Sequence, residues 1–182
     1  MQLQDSEKGK PLKLFFEDEG RFGRINNLAR CWSPPKERAI VDREIIREFS
    51  YSFCSVCPES GESYSMILPQ CNTGMMELYL QKLGRHFSRY RIIVCMDNAA
   101  WHVSDKINWP RNLAPLFLPP YSPELNPVEL IWKYIRQHHF NNHTFLSHED
   151  VDNELANALL QLHKHKQTVK SLTGFNWIIY QN

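Results

Sequence analysis

Two apolar runs, Leu12 to Asp18 (LKLFFED) and Arg91 to Asp97 (RIIVCMD), restrict the folds open to this chain more than any other feature. Neither alternates between apolar and polar residues, so each reads as a strand buried on both faces, central in a sheet with helices on either side. Each also ends in an aspartate. Ligands of open α/β sheets bind at the carboxyl ends of such strands, which makes Asp18 and Asp97 candidates for chemistry. Glu17, Asp18 and Glu19 crowd the exit of the first run, Gly20 and Gly23 loosen the loop beyond, and Arg21, Arg24 and Arg30 surround it with positive charge. The same cluster also reads as a solvated acidic turn, because runs of like charge usually face water. His102, five residues after Asp97, either assists at a site or bonds locally to backbone.

A third acid comes with LPPYSPELNPVELIW, residues 118–132, where four prolines in nine residues fix the backbone before a helix. Asn126 suits the N-cap and Pro127 the first helical position, which puts Glu129 third, with Val128, Ile131, Trp132 and Ile135 at helical spacing. Two readings of Glu129 stand together. Asn-x-x-Glu is close to a capping box, and Glu129 is four residues before Lys133, a favourable surface pair. The alternative is a carboxylate delivered to a site by a rigid loop.

Between these segments, Tyr51 to Cys57 and Ser63 to Leu68 predict a hairpin closed by residues 58–62, and Ala39 to Val41 a weak strand. Thr73 is the expected cap of a helix whose apolar stripe includes Met75, Met76, Tyr79, Leu80 and Leu83. Leu116 to Leu118 form a short strand entering the proline motif. Beyond its helix, the polar, histidine-rich stretch His138 to His148 reads as surface. Val151, Leu155, Ala158, Leu159 and Leu162 mark an amphipathic helix, and Phe175 to Ile179 a docking C-terminal segment.

With 182 residues and 21.5 kDa the chain suits one domain with a real core. A net charge of +1 excludes wholesale electrostatic binding of nucleic acid and leaves only local basic patches. No apolar run approaches a membrane span and the polar start lacks the apolar core of a signal peptide, so an intracellular, cytoplasmic location is expected. Five cysteines, an odd number, favour reduced thiols. Cys54 and Cys57 have half the spacing of a zinc site, but they sit in an alternating, strand-like run, YSFCSVCP, rather than in a tight metal-binding turn.

Three carboxylates on separate elements suit a two-metal phosphodiester site, because Mg²⁺ prefers oxygen ligands and a pair of ions can serve both the attacking and the leaving oxygen. The segments FFEDEGRFG, VCMDNAAWH and LPPYSPELNPVELIWKYIR resemble the DDE transposases of bacterial insertion sequences related to the mariner group, from residue 12 to the C-terminus. The resemblance implies an α/β, ribonuclease H-like fold with a mixed five-stranded sheet flanked by helices. It implies that Asp18, Asp97 and Glu129 are catalytic and hold Mg²⁺ (or Mn²⁺), two ions, supported by Asn98, His102 and Asn126. Arg21, Arg24, Lys133 and Arg136 are then the candidates for DNA contact.

The activity implied is metal-dependent strand cleavage at element ends and transfer of the resulting 3′-hydroxyl into target DNA. Residues 1–182 would form a single catalytic domain, residues 1–11 being the remnant of a linker, with the family's N-terminal helix-turn-helix module missing. The expected partners are transposon-end and target DNA, a second copy in a homodimeric synaptic complex, and a separately encoded helix-turn-helix portion. No membrane partner is expected, and the expected location is the bacterial cytoplasm, associated with the nucleoid. A non-specific nuclease on the same fold and an inactive remnant that only binds are the alternatives.

Overall fold

The structure, a computed structural model, describes residues 7, 9–25, 28–38, 40–42 and 45–179. Five strands form one mixed sheet: β1 (Leu12–Gly23), β2 (Phe49–Cys57), β3 (Glu62–Leu68), β4 (Arg91–Met96) and β5 (Leu113–Phe117), in the order β3-β2-β1-β4-β5. β1, β2 and β3 run antiparallel in sequence, whereas β1, β4 and β5 are parallel. Helix α1 (Thr73–His86) crosses from β3 to β4 on one face. On the other lie α2 (Val128–Ile135), α3 (His148–Lys164), α4 (Lys166–Thr173) and the short α5 (Asn176–Ile179). The expected α/β architecture of a mixed five-stranded sheet flanked by helices is thus the one observed.

The two apolar runs are central strands because successive side chains enter different cores. Phe15 packs with Met76, Tyr79, Leu80 and Leu83 beneath α1, while Phe16 packs with Val128, Ile131 and Trp132 beneath α2. Both rings are almost fully buried, each worth about 1.5–3 kcal/mol of transfer energy. Buried Tyr79 keeps its hydroxyl satisfied by donating to Ser55 Oγ at 2.8 Å and Tyr64 O at 3.0 Å.

Several boundaries differ from expectation. β1 does not end at Asp18 but runs on to Gly23, because β2 pairs with it to the register Gly23↔Phe49 after β4 has stopped. Its glycines are therefore in the strand, not in a loop. Gly20 lies under the α2 indole, where a Cβ would stand 2.8 Å from Trp132 Cδ2. Asn72, not Thr73, caps α1, its side chain accepting from Met75 N at 3.0 Å. Ile40 and Val41 are not in a strand; Ala39, like residues 1–6 and 8 of the expected linker, lies outside the described residues. The hairpin is present with a turn at 58–61, tightened by Gly61 at φ +71.

After Ile135 the helix widens into a π turn over Arg136–Phe140 that drives Phe140 into the core against Phe22 and Phe145. His139 pairs with Glu154 and His148 bonds Ser50, so part of the histidine-rich stretch is structural. Helix α4 carried no anticipated signal. The C-terminal segment does dock, with Trp177 edge-on to Phe16. Cys54 and Cys57 enter opposite cores, which removes them as joint zinc ligands, and burial pushes the Cys54 thiol up to about 12. No helix among the described residues is long and apolar enough to cross a membrane.

Candidate functional site

The last parallel pair between β1 and β4 is Phe16↔Cys95. Two residues further along each strand, on the same face by the alternation of the pleat, come Asp18 and Asp97. They stand at the carboxyl end of the three parallel strands, where β4 has ended and β1 continues alone. The chain leaving β5 then passes over this end. Its route is fixed by Leu118 N donating to Met96 O at 2.9 Å and by Asn98 Nδ2 donating to Leu118 O at 2.7 Å. A short 3₁₀ turn at Pro123–Leu125 follows and delivers α2.

A cavity of about 400 Å³ results, lined by Asp18, Asp97 and Glu129 together with Asn98, Asn126 and the proline loop. Five of the six expected catalytic and supporting residues are thereby brought together. The sixth, His102, sits behind Asp97, with Nδ1 2.7 Å from its Oδ1. At the rim, Tyr121 holds a left-handed backbone (φ 58) with its ring fully in solvent.

Asn126 keeps the expected capping geometry: it is extended (φ −99, ψ 103), its carbonyl accepts from Glu129 N at 3.2 Å, and Pro127 after it is already helical (φ −65, ψ −14), one residue ahead of the α2 range. Asn126, almost fully buried, spans two elements: Nδ2 donates to Glu17 O at 2.8 Å, and Oδ1 accepts from Val128 N at 3.2 Å. It thus covers the edge of β1 that β4 leaves open. The reciprocal half of a capping box does not form. The Asn126 N–H bonds Pro123 O instead of Glu129, and no ion pair joins Glu129 to Lys133 among the described residues. Glu129 is exposed and its carboxylate free to act.

Asp18 is set by Trp132, three residues beyond Glu129 on α2, whose Nε1 donates to Asp18 Oδ2 at 2.7 Å. Burial pushes the Asp18 carboxyl from its ordinary 3.8 to about 7, with the charges of Glu129 and Glu19 adding to the shift and the indole bond opposing it. Asp97 differs. Its hydrogen bond to His102 holds the carboxyl below the usual value, against partial burial. Three carboxylates around one cavity, one of them reluctant to ionise for want of positive charge, fit a hard divalent cation with oxygen ligands.

The acids flanking Asp18 point to the opposite face of β1. Glu17 is fully buried rather than part of a solvated turn. Glu19 Oε1 accepts from Trp101 Nε1 at 2.7 Å and lies 3.0 Å from His102 Nε2. Burial disfavours a charged His102, but the bonds to Asp97 and Glu19 and the charge of Glu17 raise it to about 11. Trp101, Trp132, Glu17 and Glu19 were not singled out as site residues in the sequence. The donor indoles gave no signal distinct from core aromatics, whereas strand alternation separates Glu17 and Glu19 from Asp18.

The four basic candidates divide. Arg21 lies over the Phe49 ring at 4.7 Å and Arg136 over Phe22 at 5.3 Å, and both line a neighbouring cavity of about 490 Å³. Arg24 lines neither cavity, donating to Phe145 O and pairing with Glu48. Lys133 is exposed on α2.

Residues 13–152 match the family model of the DDE superfamily endonucleases. An uncharacterized protein of Sinorhizobium fredii, y4pE/y4sA, is 38% identical over 104 residues, covering 57% of this chain and 77% of its own. Among solved structures, Mos1 transposase in a pre-cleavage transpososome superposes with a TM-score of 0.62 at 17% identity, covering 90% of this chain and 56% of that one. The Mos1 mariner paired-end complex with Mn gives 0.61 at 17%, covering 90% and 54%. At such identity the likeness concerns the fold, the ribonuclease H-like arrangement of the sheet and its helices. This chain spans just over half the length of those Mos1 chains.

Proposed function

The chain belongs to the DDE superfamily endonucleases, and from that premise we propose that it is a transposase catalytic domain that cuts DNA strands at the ends of an insertion sequence and joins them to target DNA. The observation that carries this reading is the meeting of Asp18 of β1, Asp97 just beyond β4 and Glu129 of α2 around one open cavity. In it, Asp18, Asp97 and Glu129 would hold Mg²⁺ or Mn²⁺, two ions, whose chemistry is to stabilise the attacking and leaving oxygens of phosphodiester exchange. A protein of similar fold supports the choice of ion, since the Mos1 mariner paired-end complex was solved with Mn.

The chain's own residues position these carboxylates. Trp132 holds one oxygen of Asp18, His102 holds Asp97, and Asn98 and Asn126 lock the two loops that form the walls. Exposed Arg21 and Lys133 and half-buried Arg136 contact DNA phosphates, which position a duplex without reading its sequence. Arg24 keeps the exit of β1 in place through Glu48 and Phe145. Residues 1–182 act as one catalytic domain, as a homodimer on paired ends, with end sequence read by a helix-turn-helix portion on another part of the transposase.

The test uses the purified chain, alone and with such a portion, on duplexes bearing element ends. With Mg²⁺ or Mn²⁺ it should cleave and join strands, and Asp97→Ala should remove both reactions. Cleavage that persists in excess chelator overturns the reading; cutting without joining identifies a general nuclease instead.

A further inference from the structure

The acids on the far face of β1 form a second cluster that the proposed reaction does not use. Glu17 is 0% exposed, and neither of its carboxylate oxygens has a hydrogen-bond partner. Such a group is disfavoured in either protonation state: ionised it has only the His102 imidazole as counter-charge, shared with Glu19 and Asp97, and neutral it lacks an acceptor for its proton. Its Oε2 points to His102 Nε2 at 3.7 Å, the atom that Glu19 Oε1 approaches at 3.0 Å. One ligand atom from each of Glu17, Glu19 and His102 lies within 4.8 Å of the other two.

We propose that Glu17, Glu19 and His102 bind one divalent first-row transition ion at a site separate from the Asp18, Asp97 and Glu129 cavity. One imidazole and two carboxylates suit Mn²⁺, Fe²⁺ or Zn²⁺, whereas Mg²⁺ favours oxygen ligands and retained water. The ring is turned for this task. With Nε2 toward the cluster, Nδ1 faces Asp97 Oδ1 at 2.7 Å, and histidine ligands of metals commonly donate their other N–H to a carboxylate. Trp101 Nε1 steadies Glu19 in the same way. On binding, the Nε2 proton of His102 and any proton on Glu17 pass to solvent. The ion then sets two positive charges against Glu17 and Glu19 in place of the single shared charge of His102. Glu17 and Glu19 leave β1 on the opposite face from Asp18, and His102 links this site to the proposed catalytic cavity through Asp97.

Pulsed electron paramagnetic resonance of Mn²⁺ bound to the full chain tests this, after stripping with chelator and with Mg²⁺ in excess. Imidazole-bound Mn²⁺ couples to a nitrogen nucleus, which an all-oxygen carboxylate cavity cannot supply. Nitrogen coupling is expected in the wild type and in Glu129→Gln, and should vanish in Glu17→Gln and Glu19→Gln. Mn²⁺ affinity in those two should fall by more than the roughly tenfold that loss of an outer partner costs. Glu19→Gln retains an acceptor for Trp101 and decides the matter if Glu17→Gln does not fold, as circular dichroism will report. Mn²⁺ coupled to oxygen alone in the wild type overturns the proposal, the doubly protonated imidazole then being the only cation there. Nitrogen coupling that survives in both variants also overturns it, since another histidine would be the ligand. A Glu129→Gln variant that still cleaves DNA would count against the catalytic reading and leave this one intact.

Discussion

Replacing Asp18 by asparagine should make the metal-free protein more stable, although it removes a residue proposed to be indispensable. Burial, with the charges of Glu129 and Glu19, raises the folded-state pKa of Asp18 from 3.8 to about 7. The folded protein therefore holds this proton more tightly than the unfolded chain. The stability that follows is fully present below about pH 4 and is lost as the pH rises through about 7. At about 1.4 kcal/mol per tenfold change in proton affinity, ionising Asp18 at pH 8 costs up to about 4 kcal/mol. Relaxation and water entry reduce such penalties, so about 2–4 kcal/mol is the working range. Asparagine escapes this cost and can still accept from Trp132 Nε1. For a chain of this length, at about 2–4 °C per kcal/mol, Asp18→Asn should melt roughly 4–16 °C above wild type in chelator at pH 8. The gap should close toward pH 4. Saturating Mg²⁺ should raise the wild-type Tm and leave the variant nearly unmoved. Calorimetry at pH 4, 6 and 8, with and without Mg²⁺, measures all of this. Equal Tm values at pH 8 in chelator, or a gap independent of pH, would refute the argument that Asp18 is strained by uncompensated negative charge.

Two further substitutions separate chemistry from packing. Glu129→Gln changes an exposed side chain without a hydrogen bond or ion pair among the described residues, so stability should stay within about 0.5 kcal/mol while Mg²⁺-induced stabilisation and cleavage both disappear. A variant with normal metal response and cleavage would show that Glu129 is no ligand. Gly20→Ala puts a Cβ at 2.8 Å from Phe22 Cε2 and Trp132 Cδ2, and forcing rigid rings apart costs about 1–3 kcal/mol. Denaturant unfolding should show that loss, and cleavage should weaken as the indole leaves Asp18; unchanged stability would mean that the rings give way freely.

The elements legible in the sequence were those with one dominant cause. Continuous apolar runs placed β1 and β4 in the middle of the sheet, and the proline loop announced α2, because burial on two faces and fixed φ angles are local facts. Asp18, Asp97 and Glu129 were legible as candidates through their position at strand and helix ends. What lay hidden depends on neighbours distant in sequence. β1 extends to Gly23 only because β2 pairs with it there. The carboxylate of Glu17 is buried where His102, distant in sequence, lies against it. Asn126 was read as a local cap, yet its amide reaches Glu17 O across 109 residues of sequence. Trp132 was legible as core by its spacing, and nothing in that spacing said that its N–H meets an aspartate.

β1 also faces a problem of fidelity during folding. A strand with one wet face resists slipping by one residue because the slip would expose its apolar set. Here both faces are dry, and Phe15 and Phe16 are buried on opposite sides, so exchanging them would go nearly unpunished by hydrophobicity. Yet the same slip would present Glu17 or Glu19 to the cavity in place of Asp18. The discrimination has to come from shape: only a glycine fits beneath the Trp132 ring at position 20, and only a glycine fits at position 23, where a Cβ would meet Glu48 O at 2.2 Å. The two small residues act as alignment pins, selecting which of three consecutive acids reaches the centre.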